Sequence, residues 1–135
     1  MSAEADDRAA RERNLVEEWH RAVNERDGDA ARRVAAPDIE VGGPQGGARG
    51  VGVLLDWIDR AGIRLDARAW HHVFPGVLVV EQDASWPGRA DAGPSAPAVR
   101  TATLFTLAGD RITAALRHDD GLHAALEAAR DRAPS

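Results

Sequence analysis

The chain has 135 residues, a net charge of −5 and neither cysteine nor lysine, so all 17 basic residues are arginine. This length suits one domain with its own hydrophobic core. The acidic balance and the lack of a basic patch argue against a nucleic-acid partner, and the lack of cysteine excludes disulfides and thiolate metal sites. No apolar run is long enough to cross a membrane and the N-terminus has no signal-peptide core, so a cytoplasmic protein is expected.

Three helices and one short strand are predicted in the first half of the chain. In order, they are a helix from Asp7 to Arg26, a helix from Asp29 to Val34, a strand from Ile39 to Val41 and a helix from Gly52 to Ala61. The first helix depends on apolar residues at helical spacing, among them Trp19 and Val23. Asp29 is expected to N-cap the second helix, and Gly62 to end the third.

The second half of the chain predicts four long strands and a last helix. The strands run from Arg64 to Phe74, Val77 to Trp86, Val99 to Leu107 and Arg111 to His118, and the helix runs from Leu122 to Ala129. Pro75-Gly76 is expected to turn the chain between the first two strands. A loop rich in proline and glycine, residues 87–97, follows the second strand, and the sequence does not tell whether it acts as a lid. Asp119 or Asp120 is expected to cap the last helix.

The predicted order ααβαββββα indicates an α+β domain. We expect a strongly curved antiparallel or mixed β-sheet that wraps around the N-terminal helices and forms a cone-shaped pocket for a small molecule. The domain is expected to span residues 14–129. It would lie between a flexible N-terminus, residues 1–13, and a frayed tail, residues 130–135.

Six glycines occur in the twelve residues from Val41 to Gly52, which raises the question of a phosphate-binding loop. A Walker loop needs a lysine that contacts the phosphates, and the chain has no lysine. A dinucleotide-binding fingerprint needs a third glycine at fixed spacing and a parallel strand after the helix, and both are missing. We therefore expect this segment to turn the chain without taking part in chemistry.

Residues Val23–Gly46, with the sequence VNERDGDAARRVAAPDIEVGGPQG, resemble the signature of the nuclear-transport-factor-2-like superfamily and in particular its SnoaL-like branch. The turn at Gly109–Ile112 and the RHDD stretch before the last helix resemble the closing hairpin of that family. The resemblance covers about residues 14–126 and implies the cone-shaped fold. It does not imply one activity, because the superfamily includes isomerases, cyclases, hydrolases and binding modules.

Ketosteroid isomerisation is the best-understood chemistry of the superfamily. It uses a strand aspartate as the base, with a tyrosine and a protonated carboxylic acid as the oxyanion hole. The resemblance places Gly43 at the position of the base, Trp19 at that of the tyrosine and Thr101 at that of the carboxylic acid. None of these residues can take over the role, so ketosteroid-isomerase activity is not expected.

Strand alternation and helical spacing predict the lining of the cone. The ligand-binding candidates are Trp19, Trp57, Gln82, Trp86, Thr101, Thr103 and Phe105. Aromatic walls suit flat or hydrophobic ligands, and plain core packing is the alternative for each tryptophan. A two-residue turn at Pro75-Gly76 would point His71 into the cone, whereas a three-residue turn would favour His72.

The catalytic candidates are Arg117, Asp119 and His71. Arg117 and Asp119 are two apart on one strand and therefore share a face. They resemble the Arg-x-Asp pair of the superfamily's epoxide hydrolases. The alternative is that they pair with each other or cap the last helix. His71 could serve as a general acid or base because histidine titrates near neutrality. Neither a metal site nor a cofactor is predicted.

The outer face of the sheet is expected to carry Trp70 and cross-strand ion pairs. The charged residues on this face are Arg68, Glu81, Asp83 and Arg100. In the superfamily this face commonly forms a dimer interface, so a homodimer through it is predicted. Two functions stay open. The first is a cone that binds a small, largely apolar molecule, with isomerase, cyclase or hydrolase chemistry. The second is a non-catalytic dimeric binding or interaction module.

Overall fold

The computed structural model describes residues 3–43, 46–86 and 98–132. Helices and strands follow one another in the order α1 (Ala3–Glu25), α2 (Gly28–Val34), β1 (Ala35–Gly43), β2 (Gly46–Arg49), α3 (Val51–Ala61), β3 (Arg64–Phe74), β4 (Val77–Ser85), β5 (Val99–Ala108), β6 (Arg111–His118) and α4 (Leu122–Arg130). The predicted α+β class and element order are confirmed, with β2 as an addition. The predicted loop 87–97 lies outside the described residues, and the flexibility of residues 1–13 stays a prediction.

The strands form a single curled sheet in the order β2-β1-β6-β5-β4-β3. β1 runs parallel to β6, and all other neighbours are antiparallel, so the sheet is mixed as predicted. Strand β2 was not predicted. It arises because the glycine segment folds back on β1 and pairs Gly42 with Gly47 and Gly43 with Gly46. The segment therefore extends the sheet in addition to turning the chain.

The inner face of the sheet packs against α1, α2 and α3 and forms the main core. From the sheet come Ile39, Leu65, Leu78, Val80, Ala84, Phe105, Ile112 and Ala115, and from the helices come Val16, Trp19, Val23, Ala30, Ala31, Val34, Leu54 and Ile58. Alternate residues of β4 appear in this cluster, as a strand with one face towards the helices requires. The inward orientation predicted for β4 is therefore confirmed.

The outer face of the sheet is partly covered by α4. Val77 and Val79 of β4 and Leu104 of β5 pack there against Ala125 and Ala129, which are fully buried. The small alanine side chains let the helix approach the strands closely, so that this short helix buries a second, smaller core.

Charged residues lie on the outer face beside this second core. Asp83 contacts Arg68 Nε through one carboxylate oxygen, at 2.7 Å, and Arg100 through the other. Arg100 also lies 3.6 Å from Glu81. The cross-strand ion pairs predicted from the sequence are thus present, and the two arginines hold the pKa of Asp83 below its usual value, Arg100 more strongly than Arg68.

Two helix caps differ from the prediction. Asp27, not Asp29, caps α2 by accepting a hydrogen bond from Ala30 N at 3.1 Å, because the helix begins at Gly28, one residue earlier than expected. Helix α4 begins after Gly121, which has a φ of 106° and offers no side chain as a cap. This glycine separates Asp119 and Asp120 from the helix, so neither of them caps it.

The register of β3 differs from the prediction, and two residues change faces. The two-residue turn at Pro75-Gly76 is present, but the pairing with β4 is irregular between His72 and Phe74. Because of this extra residue, His71 lies opposite Val79 on the outer face, and Trp70 lies opposite Val80 on the inner face. His71 does not point into the cone, and Trp70 is not an outer-face residue.

Strand β6 has a similar irregularity opposite Thr106 and Leu107. Ile112 packs in the inner core, while the hydroxyl of Thr113 lies 2.7 Å from that of Thr106. Thr106 is on the outer face because Phe105 is on the inner one. Thr113 is therefore on the outer face, whereas Ala115 beyond the irregularity faces the core.

Strand β3 is an edge of the sheet, and α1 satisfies part of that edge. The side-chain amide of Asn24 donates to Leu65 O at 2.9 Å, and its oxygen accepts from Leu65 N at 2.7 Å. One amide side chain thus makes the two hydrogen bonds that a neighbouring strand would otherwise make. This pairing blunts the edge and fixes the start of β3 against the helix.

Replacing Asn24 with alanine should lower the free energy of unfolding by about 1–3 kcal/mol, because it leaves both polar groups of Leu65 without partners. The measurement is chemical denaturation at neutral pH. Asn14→Ala is the matched control, since Asn14 lies exposed on the same helix and its replacement should change stability by less than about 0.5 kcal/mol. Equal stabilities of the two variants would contradict this role of Asn24.

Candidate functional site

A cavity of about 950 Å³ opens between the inner face of the sheet and helices α1 and α3. Its lining includes three tryptophans, small apolar residues, hairpin glycines and several polar side chains: Trp19, Trp57 and Trp86; Val41, Leu65 and Ala115; Gly42, Gly43, Gly46 and Gly47; and Arg60, Thr103, Arg117 and Asp119. The volume and the mixed lining are typical of a small-molecule site.

The deep end of the cavity is aromatic. Trp19 is 2 % exposed and stacks on Trp57, with ring centroids 6.2 Å apart and planes inclined by 18°. Its other neighbour, Phe105, meets it edge-on at 5.0 Å. The indole Nε1 of Trp19 is buried and has no hydrogen-bond partner among the described residues. Because an indole N–H can only donate, Trp19 has an unused donor in an apolar surrounding.

The opposite wall of the cavity is the hairpin of β1 and β2. Four of its glycines line the cavity, and a methyl group added at Gly43 would meet no atom within 4 Å. The wall therefore contributes space and backbone but no side-chain chemistry. This is the wall on which the family resemblance places the vacated base position, Gly43.

Arg117 and Asp119, at the end of β6, form the polar side of the cavity. Arg117 Nε lies 3.0 Å from Asp119 Oδ1, which is an ion-pair distance. The Arg117 Nε–H group is nevertheless buried without a hydrogen bond, because the geometry to the carboxylate does not meet the angle that one requires. The guanidinium carbon also lies 5.9 Å from the ring centroid of Trp86, within reach of a cation–π contact.

A chain of buried polar side chains runs behind the cavity wall. His20 Nδ1 lies 2.8 Å from Val16 O, and His20 Nε2 lies 2.9 Å from the side-chain amide of Gln82. The same amide contacts the hydroxyls of Thr101 and Thr103. All four side chains are at most 6 % exposed, and Thr103 alone among them lines the cavity.

Burial lowers the pKa of His20 from its ordinary value of 6.5, because the charged imidazolium loses its hydration. The hydrogen bond to Val16 and the charges of Asp66 and Glu17 act in the opposite direction, but burial is the largest effect. His20 is therefore neutral in the folded protein at neutral pH.

The structure brings most of the predicted site residues to the cavity. Those that line it are Trp19, Trp57, Trp86, Thr103, Arg117 and Asp119. Gln82, Thr101 and Phe105 face the same side of the sheet but are buried behind the wall. His71 lies on the opposite face, as described above. Their roles in binding or catalysis stay predictions.

Sequence reasoning missed His20 and the hairpin glycines as parts of the site. A signal for His20 was present, because it follows Val16 by four residues and precedes Val23 by three, which places it on the buried stripe of α1. The hairpin offered no such signal, because its glycines have no side chains whose pattern could indicate that β1 pairs with β2.

The described residues also bear on metal binding and on membrane insertion. Within residues 3–43, 46–86 and 98–132, no three or more His, Asp or Glu side chains are grouped so that they could hold a metal ion. No helix in the described part of the chain combines the length and the apolar character needed to cross a membrane.

Several solved structures share this architecture. A protein of unknown function from Cytophaga hutchinsonii, described as NTF2-like, is 17% identical, with 78% of this chain and 86% of the other covered and a TM-score of 0.65. A Sinorhizobium meliloti protein proposed to be a polyketide cyclase is 22% identical, with 77% and 93% covered and a TM-score of 0.65. The chain has the nuclear-transport-factor-2-like fold. This confirms the resemblance at the level of the fold.

A third structure with this fold holds a small molecule. It is a hypothetical protein from Catenulispora acidiphila with a ketosteroid-isomerase-like fold, in complex with trimethylamine, and it is 19% identical with 76% and 82% covered and a TM-score of 0.63. No protein-family model and no curated protein matches the sequence. At these identities the nuclear-transport-factor-2-like fold is what the similarity establishes, and the function must be argued from the site.

The hairpin wall can be tested with two alanine substitutions. A Cβ at Gly47 would lie 2.9 Å from Val41 O, whereas one at Gly43 would meet nothing within 4 Å. Gly47→Ala should therefore force the strands apart and lower the free energy of unfolding by about 1–3 kcal/mol. Gly43→Ala, the matched control, should keep the wild-type melting temperature. The arrangement of the hairpin is wrong if both variants melt at the same temperature.

The buried state of His20 predicts a dependence of stability on pH. Because the pKa of His20 is lowered from 6.5 in the folded state, the unfolded state binds more protons below that pH. Its contribution to stability is present above that pH and is lost as the pH falls. In denaturation at neutral pH and again near pH 5, the stability advantage of the wild type over His20→Gln should shrink at the lower pH.

The control for this experiment is His123→Gln, because the His123 side chain is 83% exposed. Its difference from the wild type should change less between the two pH values than that of His20→Gln. A His20→Gln difference that is the same at both pH values would show that His20 does not titrate differently on folding.

Proposed function

We propose that the protein binds a small, largely apolar molecule in the cavity, with a hydrogen-bond-accepting group directed at Trp19 and Arg117. The observation that carries this proposal is that Trp19 lines the cavity while its buried indole N–H has no hydrogen-bond partner among the described residues. An unsatisfied buried donor costs about 1–3 kcal/mol. An acceptor on a ligand would recover that free energy, which an apolar filling of the cone would not.

The shape of the walls supports the same ligand class. Trp57 and Trp86 offer flat apolar surfaces, and Leu65 and Ala115 add aliphatic ones. Arg117 and Asp119 offset each other's charge, so this side of the cavity favours a dipolar group over a free ion. The trimethylamine in the Catenulispora acidiphila protein supports the view that cones of this fold take small organic molecules.

Catalysis in this cavity would have to use the side of β6. Gly43 offers no base, and His71 is on the other face of the sheet. Asp119 is a carboxylate at the cavity that could exchange a proton with a ligand, and the N–H groups of Trp19 and Arg117 could stabilise an oxyanion. Isomerisation, cyclisation or hydration would suit this set. A non-catalytic binding module remains the alternative, because the ion pair with Arg117 occupies one oxygen of Asp119.

Self-association through the outer face of the sheet stays a prediction, and fewer observations now support it. Trp70, the tryptophan expected on that face, lies on the inner face, 4.6 Å from the guanidinium carbon of Arg13. Helix α4 covers part of the outer face as well. The surface left for a partner is the ion-paired patch around Asp83. Localisation in the cytoplasm likewise stays a prediction.

The test is native mass spectrometry of the protein as purified, followed by denaturation and identification of any released molecule. Trp19→Phe keeps the ring stacking but removes the N–H, and it should lower ligand affinity about tenfold, equivalent to about 1.4 kcal/mol. Trp70→Phe is the matched control, because Trp70 also packs on α1 but does not line the cavity. It should retain the ligand as the wild type does.

Two outcomes would contradict the proposal. The first is a Trp19→Phe variant that holds the ligand as tightly as the wild type. The second is a protein that is purified empty and gains no thermal stability from a panel of steroids, polyketides and epoxides. That result would favour the module without a ligand.

A further inference from the structure

We propose that Thr103 and Arg117 form a hydroxyl-binding subsite in the cavity wall. In this subsite a terminal N–H of the Arg117 guanidinium donates to the oxygen of a ligand hydroxyl, and Thr103 Oγ1 accepts the proton of the same hydroxyl. The inference rests on the proposed function, because it specifies which polar group the ligand of that cavity carries.

The two residues are direct neighbours across strands β5 and β6. Thr103 pairs with Arg117 in the sheet, and both line the cavity. The Cβ atoms of residues directly opposite in an antiparallel pair lie about 4.5–5.5 Å apart. One small group of a ligand can therefore contact both side chains at once.

The proton on Thr103 is fixed by a chain that begins at His20. The partner of His20 Nδ1 is the carbonyl oxygen of Val16, so Nδ1 must carry a proton. The ring is 6 % exposed, and no carboxylate lies within ion-pair distance of it in the part of the chain that the structure describes. A second proton would create a buried cation without a counter-ion. His20 Nε2 is therefore unprotonated and needs a donor.

Among the described residues, only the side-chain amide of Gln82, 2.9 Å from Nε2, can supply this donor. With Gln82 Oε1 directed at the ring, both groups would be acceptors. Rotating the amide by half a turn exchanges its oxygen and nitrogen while keeping the heavy-atom positions, and it places an N–H on His20 Nε2. The amide oxygen then faces the hydroxyls of Thr101 and Thr103, which are in hydrogen-bond contact with Gln82.

In this arrangement both threonines donate to the oxygen of Gln82, which has two lone pairs for them. The hydroxyl proton of Thr103 is then used in the hydrogen bond to Gln82. Only the lone pairs of the hydroxyl oxygen remain for a ligand in the cavity. Thr101 is in the same state, but it does not line the cavity. The buried chain thus turns a group that could donate or accept into an acceptor.

Arg117 supplies the complementary half of the subsite. Its side chain lines the cavity and is 23% exposed, and Nε is the nitrogen that lies 3.0 Å from Asp119 Oδ1. The terminal N–H groups of the guanidinium are the donors that remain for a ligand. A hydroxyl can accept from one of these N–H groups and donate to Thr103, whereas an ether or a ketone can only accept. The subsite therefore selects alcohols, enols or phenols over the corresponding ethers and ketones.

Three probes of one shape test this selection: 2-naphthol, 2-methoxynaphthalene and 2-methylnaphthalene. The first can donate and accept, the second can only accept, and the third can do neither. In isothermal titration calorimetry with the intact chain, 2-naphthol should bind about tenfold more tightly than 2-methoxynaphthalene, as expected for one additional satisfied hydrogen bond.

Substitutions assign the preference to the subsite. Thr103→Val should abolish the tenfold preference for 2-naphthol, and Thr103→Ser should retain it. Thr101→Val is the matched control, because it removes the other hydroxyl on Gln82 without changing the cavity wall, and it should also retain the preference. Thermal unfolding of each variant shows that it is folded. A preference that survives in Thr103→Val would overturn the subsite.

The outcomes separate this inference from the proposed function. If 2-naphthol and 2-methoxynaphthalene bind equally and both bind more tightly than 2-methylnaphthalene, the cavity selects an acceptor and only the hydroxyl subsite fails. If all three bind with equal affinity, or if none binds, both proposals fail. A measurement without any ligand tests the subsite independently. ¹⁵N NMR of His20 should show a protonated Nδ1 and an unprotonated Nε2 at neutral pH. A doubly protonated ring would require the Gln82 oxygen to face it and would refute the subsite.

Discussion

The contact between α1 and the inner face of the sheet is the constraint on which the rest of the structure depends. Trp19 meets Phe105 edge-on and stacks on Trp57, so one indole joins the sheet to two helices. The next residue, His20, forms its hydrogen bond with Gln82 across 62 positions of sequence. These two consecutive residues have different roles. Trp19 forms the aromatic end of the cavity, and His20 fixes the polar chain behind the cavity wall.

Two contacts of α1 explain why the sheet curves around this helix. Near the middle of the helix, Glu12 accepts a hydrogen bond at 2.9 Å from Gly76 N, in the turn between β3 and β4. Near its C-terminus, Asn24 holds the backbone of Leu65 at the start of β3. The edge strand is thus attached to one helix at both ends. A twisted sheet held in this way curls over the helix, and the space left on the far side becomes the cavity.

The sequence was sufficient for the fold and for one wall of the cavity. Arg117 near the end of β6 and Asp119 just after the strand both line the cavity, as the alternation of strand residues predicted. The orientations of Trp70 and His71 could not be predicted, because an extra residue at Val73 shifts the register of β3. Such an irregularity depends on how β4 and α1 pack against the strand, and no local pattern in the sequence specifies it.

The walls of the cavity differ in polarity, and together they favour a neutral ligand. The hairpin around Gly43 gives volume without charge, so polarity enters from the side of β6. There Arg117 and Asp119 form a pair whose charges cancel, and Nε is the nitrogen nearest to the carboxylate, which leaves the terminal N–H groups of the guanidinium. The arginine can therefore donate to a ligand without giving up its ionic contact. A charged ligand would have to disturb that pair, whereas a neutral one with a suitable polar group would not.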